Sequence, residues 1–327
     1  MHKVKIGVTG TGSLIGQAII KSIRDSDIAD TIEIIGFDYF ADTVGSFWCG
    51  RNYLLPDILQ PKNKENWYAL ILEVIKKEQI AIIFIGVDFE LPLLAEQRHS
   101  IEENAGCKVV VSSEQVIEIG NDKYLTYKFL KENSFNYPKT WLESEIIDAS
   151  LEYPCILKPR EGARSKDVYI VKDQDYLLNK IRSVKNPIVQ ELIGDEEHEY
   201  TCGVLCFDSK IVSSIVLGRC LKDGNTYIAE YRDDYDRKIY DYIEQVALKL
   251  KPNGSCNMQL RTNAAGEPYL FEINPRFSGT TYIRSLFGYK EVEYTIKHLL
   301  GMKTYPFYLK QGKAYRYYEE KLLENGR

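Results

Sequence analysis

Residues that can hold a metal ion stand on two neighbouring stretches late in this 327-residue chain. Gln259 lies in the first stretch, residues 257–260, and Glu272 and Asn274 lie in the second, residues 271–276. Glu272 and Asn274 are two positions apart, so on a β-strand their side chains share one face. Carboxylate and amide oxygens suit Mg²⁺, which takes one or two protein ligands and completes its shell with nucleotide phosphates. The residue types indicate a magnesium site, and the alternative is the polar outer face of an edge hairpin.

Both stretches alternate apolar and polar residues, and a polar turn that contains a glycine separates them. This pattern predicts a β-hairpin. A turn centred on residues 265–266 places Gln259 opposite Glu272 and Asn257 opposite Asn274. The hairpin therefore collects the candidate ligands on one face.

Composition limits the classes of function that the chain can have. The apolar share of 44% and the charged share of 27% are ordinary for a soluble globular protein. A net charge of −5 argues against a general role on nucleic acid or on a membrane surface. The longest apolar run, residues 80–87, is too short to span a bilayer, and the N-terminus is expected to be a first strand, not a signal peptide. Seven cysteines without framework spacing fit reduced thiols in a cytoplasm.

The elements of the first third alternate between strand and helix patterns. Such alternation predicts a doubly wound parallel sheet of about 110 residues. The expected strands cover residues 3–9, 32–37, 80–87 and 108–111, and the expected helices end near residues 25, 77 and 104.

A glycine-rich loop after the first strand suggests a second chemistry. Residues 10–16 and Asp38 look like a dinucleotide fingerprint, but with one residue too many between the second and third glycines. Tyr124 and Lys128 add a Tyr-x-x-x-Lys pair, with two serines at 112–113, as in a short-chain dehydrogenase. The tyrosine comes about thirty residues early for that fold. An NAD(P)-dependent reductase is therefore kept only as a remote alternative.

The rest of the chain is rich in β patterns and carries five motifs in a recognisable order. Together they resemble an ATP-grasp enzyme, with most similarity to one synthetase half of the carbamoyl phosphate synthetase large subunit. The motifs are Asp122-Lys123, Leu157-Lys158-Pro159 with the loop after it, Gln190-Glu191-Leu192-Ile193 followed by Glu199-Tyr200-Thr201, Asn257-Met258-Gln259, and Phe271-Glu272-Ile273-Asn274-Pro275-Arg276.

The resemblance implies a domain organisation. Residues 1–112 would form the Rossmann-like domain that precedes the ATP-grasp domain in these enzymes. Residues 113–327 would form the ATP-grasp fold of two α+β subdomains, with a lid over about 140–192 and a catalytic subdomain over about 193–327.

The resemblance also implies how ATP would be held at its phosphates. Lys123 and Lys158 would contact the α- and β-phosphates as flexible point charges. Gly162 and Ser165 belong to a loop that would cover the phosphates through backbone N–H groups. This loop has fewer small residues than expected, but Arg164 would add positive charge over the γ-phosphate.

The nucleoside would lie along the strand that joins the lid to the core. By resemblance, the backbone of Glu191, Leu192 and Ile193 would bind the adenine edge, through the C=O of Glu191 and the N–H of Ile193. Glu199 would accept hydrogen bonds from the ribose hydroxyls, although an exposed acid in an acidic run is the alternative.

Two Mg²⁺ ions are expected beside the phosphates, and Mn²⁺ is expected to substitute for them. By resemblance, Glu272 would bridge the ions, and Gln259 and Asn274 would complete their protein ligands. Arg276 would stabilise charge on the transferring phosphoryl group or on the receiving carboxylate.

These expectations describe an ATP- and Mg²⁺-dependent ligase. A small-molecule carboxylate would become an acyl phosphate, and an amine would displace phosphate, with Lys158, Arg164 and Arg276 in the catalytic set. An ATP-binding subunit or regulator without its own chemistry is the main alternative. The substrates are not identified by the sequence, and a homodimer is compatible with the resemblance.

Overall fold

The computed structural model describes residues 3–162 and 166–322. The strands are β1 (Val4–Thr9), β2 (Ile32–Asp38), β3 (Arg51–Leu54), β4 (Ile80–Phe84), β5 (Lys108–Val110), β6 (Thr140–Leu142), β7 (Cys155–Pro159), β8 (Tyr169–Val171), β9 (Pro187–Glu191), β10 (Glu199–Phe207), β11 (Lys210–Lys222), β12 (Asn225–Tyr231), β13 (Gly254–Thr262), β14 (Pro268–Asn274) and β15 (Gly312–Tyr315). The α-helices are α1 (Leu14–Arg24), α2 (Lys64–Glu78), α3 (Leu91–Ala105), α4 (Glu114–Asn121), α5 (Lys123–Glu132), α6 (Gln174–Lys180), α7 (Arg237–Leu250), α8 (Thr281–Leu286) and α9 (Glu291–Leu299).

The chain forms two compact units. The first unit consists of Met1–Val111 and Arg276–Arg327, and the second unit is Ser112–Pro275.

The first unit is built on a parallel sheet of order β3-β2-β1-β4-β5. Its central strands are apolar and buried, as expected for a sheet that helices cover on both faces. Helices α1, α2 and α3 make the connections between parallel strands. This architecture confirms the predicted doubly wound sheet.

Strand β3 was not expected from the sequence. It lies at the edge of the sheet, where it pairs with β2. Its residues are largely exposed, so Arg51–Leu54 lacks the apolar run that identifies a buried strand.

The core of the first unit joins both of its segments. Ile6 of β1 and Ile19 of α1 are buried in one cluster with Phe277 and Ile296 of the later segment. Helices α8 and α9 pack against α1. Residues after Arg276 therefore contribute to the hydrophobic core of the N-terminal sheet.

The second unit contains two antiparallel sheets. The smaller has the order β6-β9-β7-β8, and the larger includes the order β14-β13-β10-β11-β12. Helix α7 buries Ile243 and Val246 in the same cluster as Cys202 and Met258 of the larger sheet. The α+β character that was predicted for this part of the chain is confirmed.

The seven cysteines, at positions 49, 107, 155, 202, 206, 220 and 256, are free thiols. Among the described residues, no helix combines the length and the hydrophobicity that a membrane crossing requires.

Candidate active site

The hairpin of β13 and β14 has the predicted register. Gln259 lies opposite Glu272, and Asn257 lies opposite Asn274. The turn is centred on Ala265 and not between residues 265 and 266 as expected, because Asn263 N–H donates to the carbonyl of Glu267 at 3.0 Å. A bulge at Phe271 adds one residue to β14 and restores the predicted pairing.

The oxygen ligands on this hairpin fit a Mg²⁺-nucleotide site. Asn274 Nδ2 donates to Glu272 Oε1 at 2.9 Å, so the two candidate ligands are held together. Across the described ranges, no group of three or more His, Cys, Asp or Glu side chains could hold a metal ion by itself. A cation here would bind one carboxylate and amide oxygens, and its remaining positions would suit water and phosphate.

Lys158 is the penultimate residue of β7, and its side chain is buried. It is 6% exposed, and its Nζ donates to Gln190 Oε1 at 2.6 Å and lies 5.5 Å from the ring centroid of Phe271. Burial lowers the pKa of the Lys158 ammonium to about 7, and the positive charge of Lys123 acts in the same direction, whereas Glu272 raises it. A buried cation whose pKa is lowered in this way is stabilised by any anion that binds beside it.

Lys123 begins α5 and contacts the start of the loop after β7. Asp122 caps the helix by accepting from Tyr124 N–H at 2.8 Å, and it also accepts from the Arg160 guanidinium. Lys123 Nζ donates to the Gly162 carbonyl at 3.1 Å. Gly162 has a φ of +147°, which favours glycine. The ammonium of Lys123 is thus linked to the backbone of the predicted phosphate-covering loop.

Arg164 and Ser165 of that loop lie outside the described residues. The phosphate roles that were predicted for them therefore stay predictions.

The predicted hinge follows the end of β9. Glu191 N–H donates to the Lys139 carbonyl at 2.8 Å, which joins β9 to the segment before β6. Leu192 and Ile193 come directly after the strand, where the ladder ends.

Glu199 lies between two arginines from the neighbouring strands. Arg219 Nε donates to Glu199 Oε1 at 2.8 Å, and Arg261 Nε donates to Glu199 Oε2 at 2.7 Å. Arg219 Nη2 also donates to Gln259 Oε1 at 2.8 Å. The Glu199 carboxylate is 7% exposed, so it is not the exposed acid of the acidic run that precedes it.

One cavity of the second unit collects most of the predicted site residues. These residues are Lys123, Lys158, Gly162, Glu191, Leu192, Ile193, Glu199, Gln259 and Glu272. Asn274 reaches the group through its hydrogen bond to Glu272. Apolar side chains, among them Ile156, Leu221 and Phe271, line the same cavity and suit a flat ring.

The order of these motifs agrees with a known family. Residues 120–280 match the family model of the ATP-grasp domain. This chain contains an ATP-grasp domain. The match covers the cavity and both strands of the hairpin.

Relatives of known name support the assignment. The chain is 23% identical over 225 residues to the carbamoyl phosphate synthase large chain of Campylobacter jejuni, which covers 63% of this chain and 20% of that one. It is 31% identical over 116 residues to a D-alanine–D-alanine ligase of Petrotoga mobilis, covering 34% and 36% of the two chains. The chain therefore spans well under two thirds of the length of these relatives.

The fold is shared with solved structures as well. The N5-carboxyaminoimidazole synthetase from Staphylococcus aureus, complexed with ADP, aligns with a TM-score of 0.71 and 14% identity, covering 94% of this chain and 81% of that chain. At this identity the likeness shows the fold.

Arg276 belongs to the first unit, outside the compact unit that contains the ATP-grasp cavity. Its Nε donates to Asp88 Oδ1 at 2.6 Å, and its Nη1 donates to the Phe277 carbonyl at 3.1 Å. No local pattern indicates Asp88 as the partner of Arg276, because the two residues are 188 positions apart. The catalytic role of Arg276 stays a prediction.

The residues that suggested a reductase have other partners. Asp38 Oδ2 accepts from Gly12 N–H at 2.6 Å and from Thr11 Oγ1 at 2.8 Å, so the carboxylate fixes its own loop. Tyr124, which lies on a helix of the second unit, donates its hydroxyl to Glu145 Oε1 at 2.9 Å. Each of these two groups therefore has a hydrogen-bond partner within its own unit.

Sequence reasoning missed several polar residues of the ATP-grasp cavity, among them Arg261 and Gln190. Arg261 follows Gln259 by two positions on β13 and shares its face, so strand periodicity could have found it. Gln190 was treated only as part of the hinge motif, although its Nε2 donates to Thr140 Oγ1 at 2.9 Å and its Oε1 accepts from Lys158. No local pattern indicates that contact.

Proposed function

We propose that this protein is an ATP- and Mg²⁺-dependent ligase that joins a small-molecule carboxylate to an amine. The observation that carries the proposal is the buried Lys158, whose cavity also contains Lys123, Arg219 and Arg261 and faces the Glu272 hairpin. Lys166 lines the cavity as well, which makes five cationic side chains. This positive charge suits a polyphosphate, and the neighbouring oxygen ligands suit its divalent cation. The names of the relatives, which include a D-alanine–D-alanine ligase and a carbamoyl phosphate synthase, support this class of reaction.

The nucleotide would be bound along the cavity. Lys123 and Lys158 bind the phosphates as point charges, and the loop with Gly162, Arg164 and Ser165 covers them. The backbone of residues 191–193 binds the adenine edge.

Glu199 accepts from the hydroxyls of the ribose, which joins the adenine to the phosphates. Its depth in the cavity and its place on β10 support this role.

The divalent cations would be held by Gln259, Glu272 and Asn274. Two ions are proposed, with Mn²⁺ able to replace Mg²⁺, and they would neutralise charge on the β- and γ-phosphates. The hydrogen bond between Asn274 and Glu272 orients two of these ligands before any ion binds.

The reaction balances in two steps. An oxygen of the substrate carboxylate attacks the γ-phosphorus, the bond from that phosphorus to the bridging oxygen of ADP breaks, and an acyl phosphate forms. The amine nitrogen then attacks the acyl carbon, loses a proton, and expels inorganic phosphate, which leaves a C–N bond. Lys158, Arg164 and Arg276 would stabilise the negative charge that moves between these oxygens. Exclusion of water by the covering loop would protect the acyl phosphate from hydrolysis.

The test is ADP release across a panel of carboxylate and amino-acid pairs. We expect at least one pair to release ADP and inorganic phosphate, and we expect Glu272→Ala and Lys158→Ala to abolish that release. ATP binding without turnover for any pair would favour a nucleotide-binding subunit. Thermal stabilisation by NAD(P) but not by ATP with Mg²⁺ would favour the reductase.

We further propose the setting in which the enzyme acts. The free thiols and the net charge of −5 support a cytoplasmic protein that acts on small molecules and not on nucleic acid or membranes. A homodimer is proposed from the resemblance. The division into a 1–112 domain and a 113–327 ATP-grasp domain, with a lid over about 140–192 and a catalytic subdomain over about 193–327, also stays a proposal.

A further inference from the structure

A row of charged side chains crosses the three central strands of the larger sheet. Glu199 on β10 pairs directly with Arg261 on β13. Gly218 of β11 pairs with Tyr200, so the next residue, Arg219, reaches Glu199 from the other side. Glu199 is therefore flanked by one arginine from each neighbouring strand.

The two arginines occupy all the acceptor positions of this carboxylate. Nε and Nη2 of Arg219 both donate to Oε1, and Nε and Nη2 of Arg261 both lie against Oε2. An ionised carboxylate offers about four acceptor sites. A hydroxyl that donates to Glu199 must therefore displace one guanidinium N–H group.

Arg219 differs from Arg261 in having a second partner on the cation-binding hairpin. Its Nη2 donates to Gln259 Oε1 at 2.8 Å, and its side chain is 7% exposed. A guanidinium can only donate, so the amide oxygen of Gln259, and not its NH₂ group, must face Arg219. The oxygen that would bind a cation is thus engaged by Arg219.

We propose that Arg219 is a positioning residue that couples ribose binding at Glu199 to divalent-cation binding at Gln259. This inference rests on the proposed function, which assigns the ribose and the cation to these two side chains. A ribose hydroxyl that donates to Glu199 Oε1 weakens the hold of this carboxylate on Arg219. Arg219 then moves away from Gln259, whose oxygen becomes available to the cation.

Thermodynamic linkage makes the effect reciprocal. If the nucleoside raises the affinity for the cation, the cation raises the affinity for the nucleoside by the same factor. Adenosine isolates this effect because it has no phosphates, so it cannot bind the cation strongly by itself. Any strengthening of adenosine binding by Mn²⁺ must therefore pass through the protein.

The experiment measures the Kd of adenosine by isothermal titration calorimetry, with and without saturating Mn²⁺. In the wild-type protein we expect Mn²⁺ to lower the Kd by about fivefold or more, the lower end of typical coupling between sites. For 2′,3′-dideoxyadenosine, which lacks the 2′- and 3′-hydroxyls, we expect no change with Mn²⁺.

Arg219→Met and Arg261→Met form a matched pair of variants. Each removes one of the two arginines on Glu199, but only Arg219→Met removes the contact with Gln259. We expect Arg219→Met to lose the coupling and to bind Mn²⁺ without adenosine at least about fivefold more tightly than the wild-type protein. Arg261→Met leaves Oε1 and its contact with Arg219 in place but frees acceptor positions on Oε2, so we expect it to keep part of the coupling. We expect Arg219→Lys to lose the coupling, because one ammonium does not reproduce the guanidinium fork.

Thermal unfolding of both methionine variants shows whether each is folded. Should Arg219→Met not fold, the Arg219→Lys and dideoxyadenosine results decide the question.

The proposal is overturned if Mn²⁺ leaves the wild-type Kd for adenosine unchanged, or if both methionine variants lose the coupling equally. In either case, release of ADP with a carboxylate and an amine would leave the ligase proposal intact. Failure of both adenosine and ATP to bind would overturn the ligase proposal and the coupling together.

Discussion

Lys158 in the second unit and Glu90 in the first unit are both buried ionisable groups with a pKa near neutrality. Burial lowers the pKa of the Lys158 ammonium to about 7 and raises the pKa of the Glu90 carboxyl to about 7. Each group is therefore close to losing its charge at physiological pH. The neighbours of the two groups, however, differ: hydrogen-bond donors surround Glu90, whereas other cations surround Lys158.

Glu90 is surrounded by donors that satisfy it. It is 0% exposed, it accepts from the hydroxyl of Thr9, and it accepts from the hydroxyl of Tyr39 at 2.7 Å. The Tyr39 hydroxyl accepts in turn from Trp67 Nε1 at 2.9 Å. This network joins the ends of strands in the parallel sheet and has the character of a structural support.

Lys158 has one neutral acceptor, Gln190, and shares its cavity with other cations. Lys123 and Arg261 disfavour its charged form, so an anion that enters the cavity stabilises it. The comparison shows that a shifted pKa alone does not identify a functional residue. A functional residue is identified when the sign of the surrounding charges and the presence of a cavity are considered as well.

The largest effect is expected when the positive charge of Lys158 is removed. Lys158→Met should lower kcat/KM for ATP by about 100-fold or more, because loss of one group that stabilises phosphoryl charge costs roughly 3 kcal/mol. ADP release assays measure the loss. Lys180→Met is the matched control, because Lys180 also lies against an aromatic ring, Tyr169, but does not line the cavity. An equal loss in both variants would contradict the role of Lys158.

For Glu90, we expect an effect on the free energy of unfolding and not on catalysis. The pKa of Glu90 is higher in the folded protein than its ordinary 4.5, so its contribution to stability is fully present below about pH 4.5 and is lost as the pH rises through about 7. This change corresponds to about 3 kcal/mol of unfolding free energy. Urea unfolding of the wild-type protein and Glu90→Gln between pH 4.5 and 8 measures it, and parallel pH profiles for the two would refute it.

A smaller effect is expected on the pH dependence of nucleotide binding. Above pH 7 the free protein increasingly holds Lys158 neutral, and a bound phosphate should restore its charge. Binding then takes up a proton, so the affinity for ADP in EDTA should fall by up to about tenfold per pH unit above pH 7. Calorimetry in buffers of different ionisation enthalpy counts the protons. Proton release on binding would be the opposite of the expected result.

The smallest effect concerns the acceptor of Lys158. Gln190→Met removes the hydrogen bond to Nζ while keeping a side chain of similar length, and this bond is worth about 1 kcal/mol. We expect the Kd for ADP to change by about fivefold, measured by calorimetry. A change as large as that of Lys158→Met would mean that Gln190 itself binds the nucleotide.

Much of the candidate site could be predicted because its signals are local. The alternation of side chains along residues 257–260 and 271–276 was sufficient for the register of Gln259 with Glu272. The pairing held even though the turn was slightly misplaced, because the bulge at Phe271 compensates. The edge strand β3 escaped prediction for the opposite reason, since an exposed strand leaves no run of apolar residues.

The sequence by itself determined the parallel sheet, the hairpin and the order of the ATP-grasp motifs, because periodicity and spacing act between near neighbours along the chain. Only the tertiary structure decided that Gln190 contacts Lys158, 32 positions away, and that Arg219 contacts Gln259, 40 positions away. These contacts depend on which strands are adjacent and in what register, and the sheet order β13-β10-β11 brings both arginines to Glu199. The sequence contains the charged residues, and the strand order and register of the sheet determine which of them are in contact.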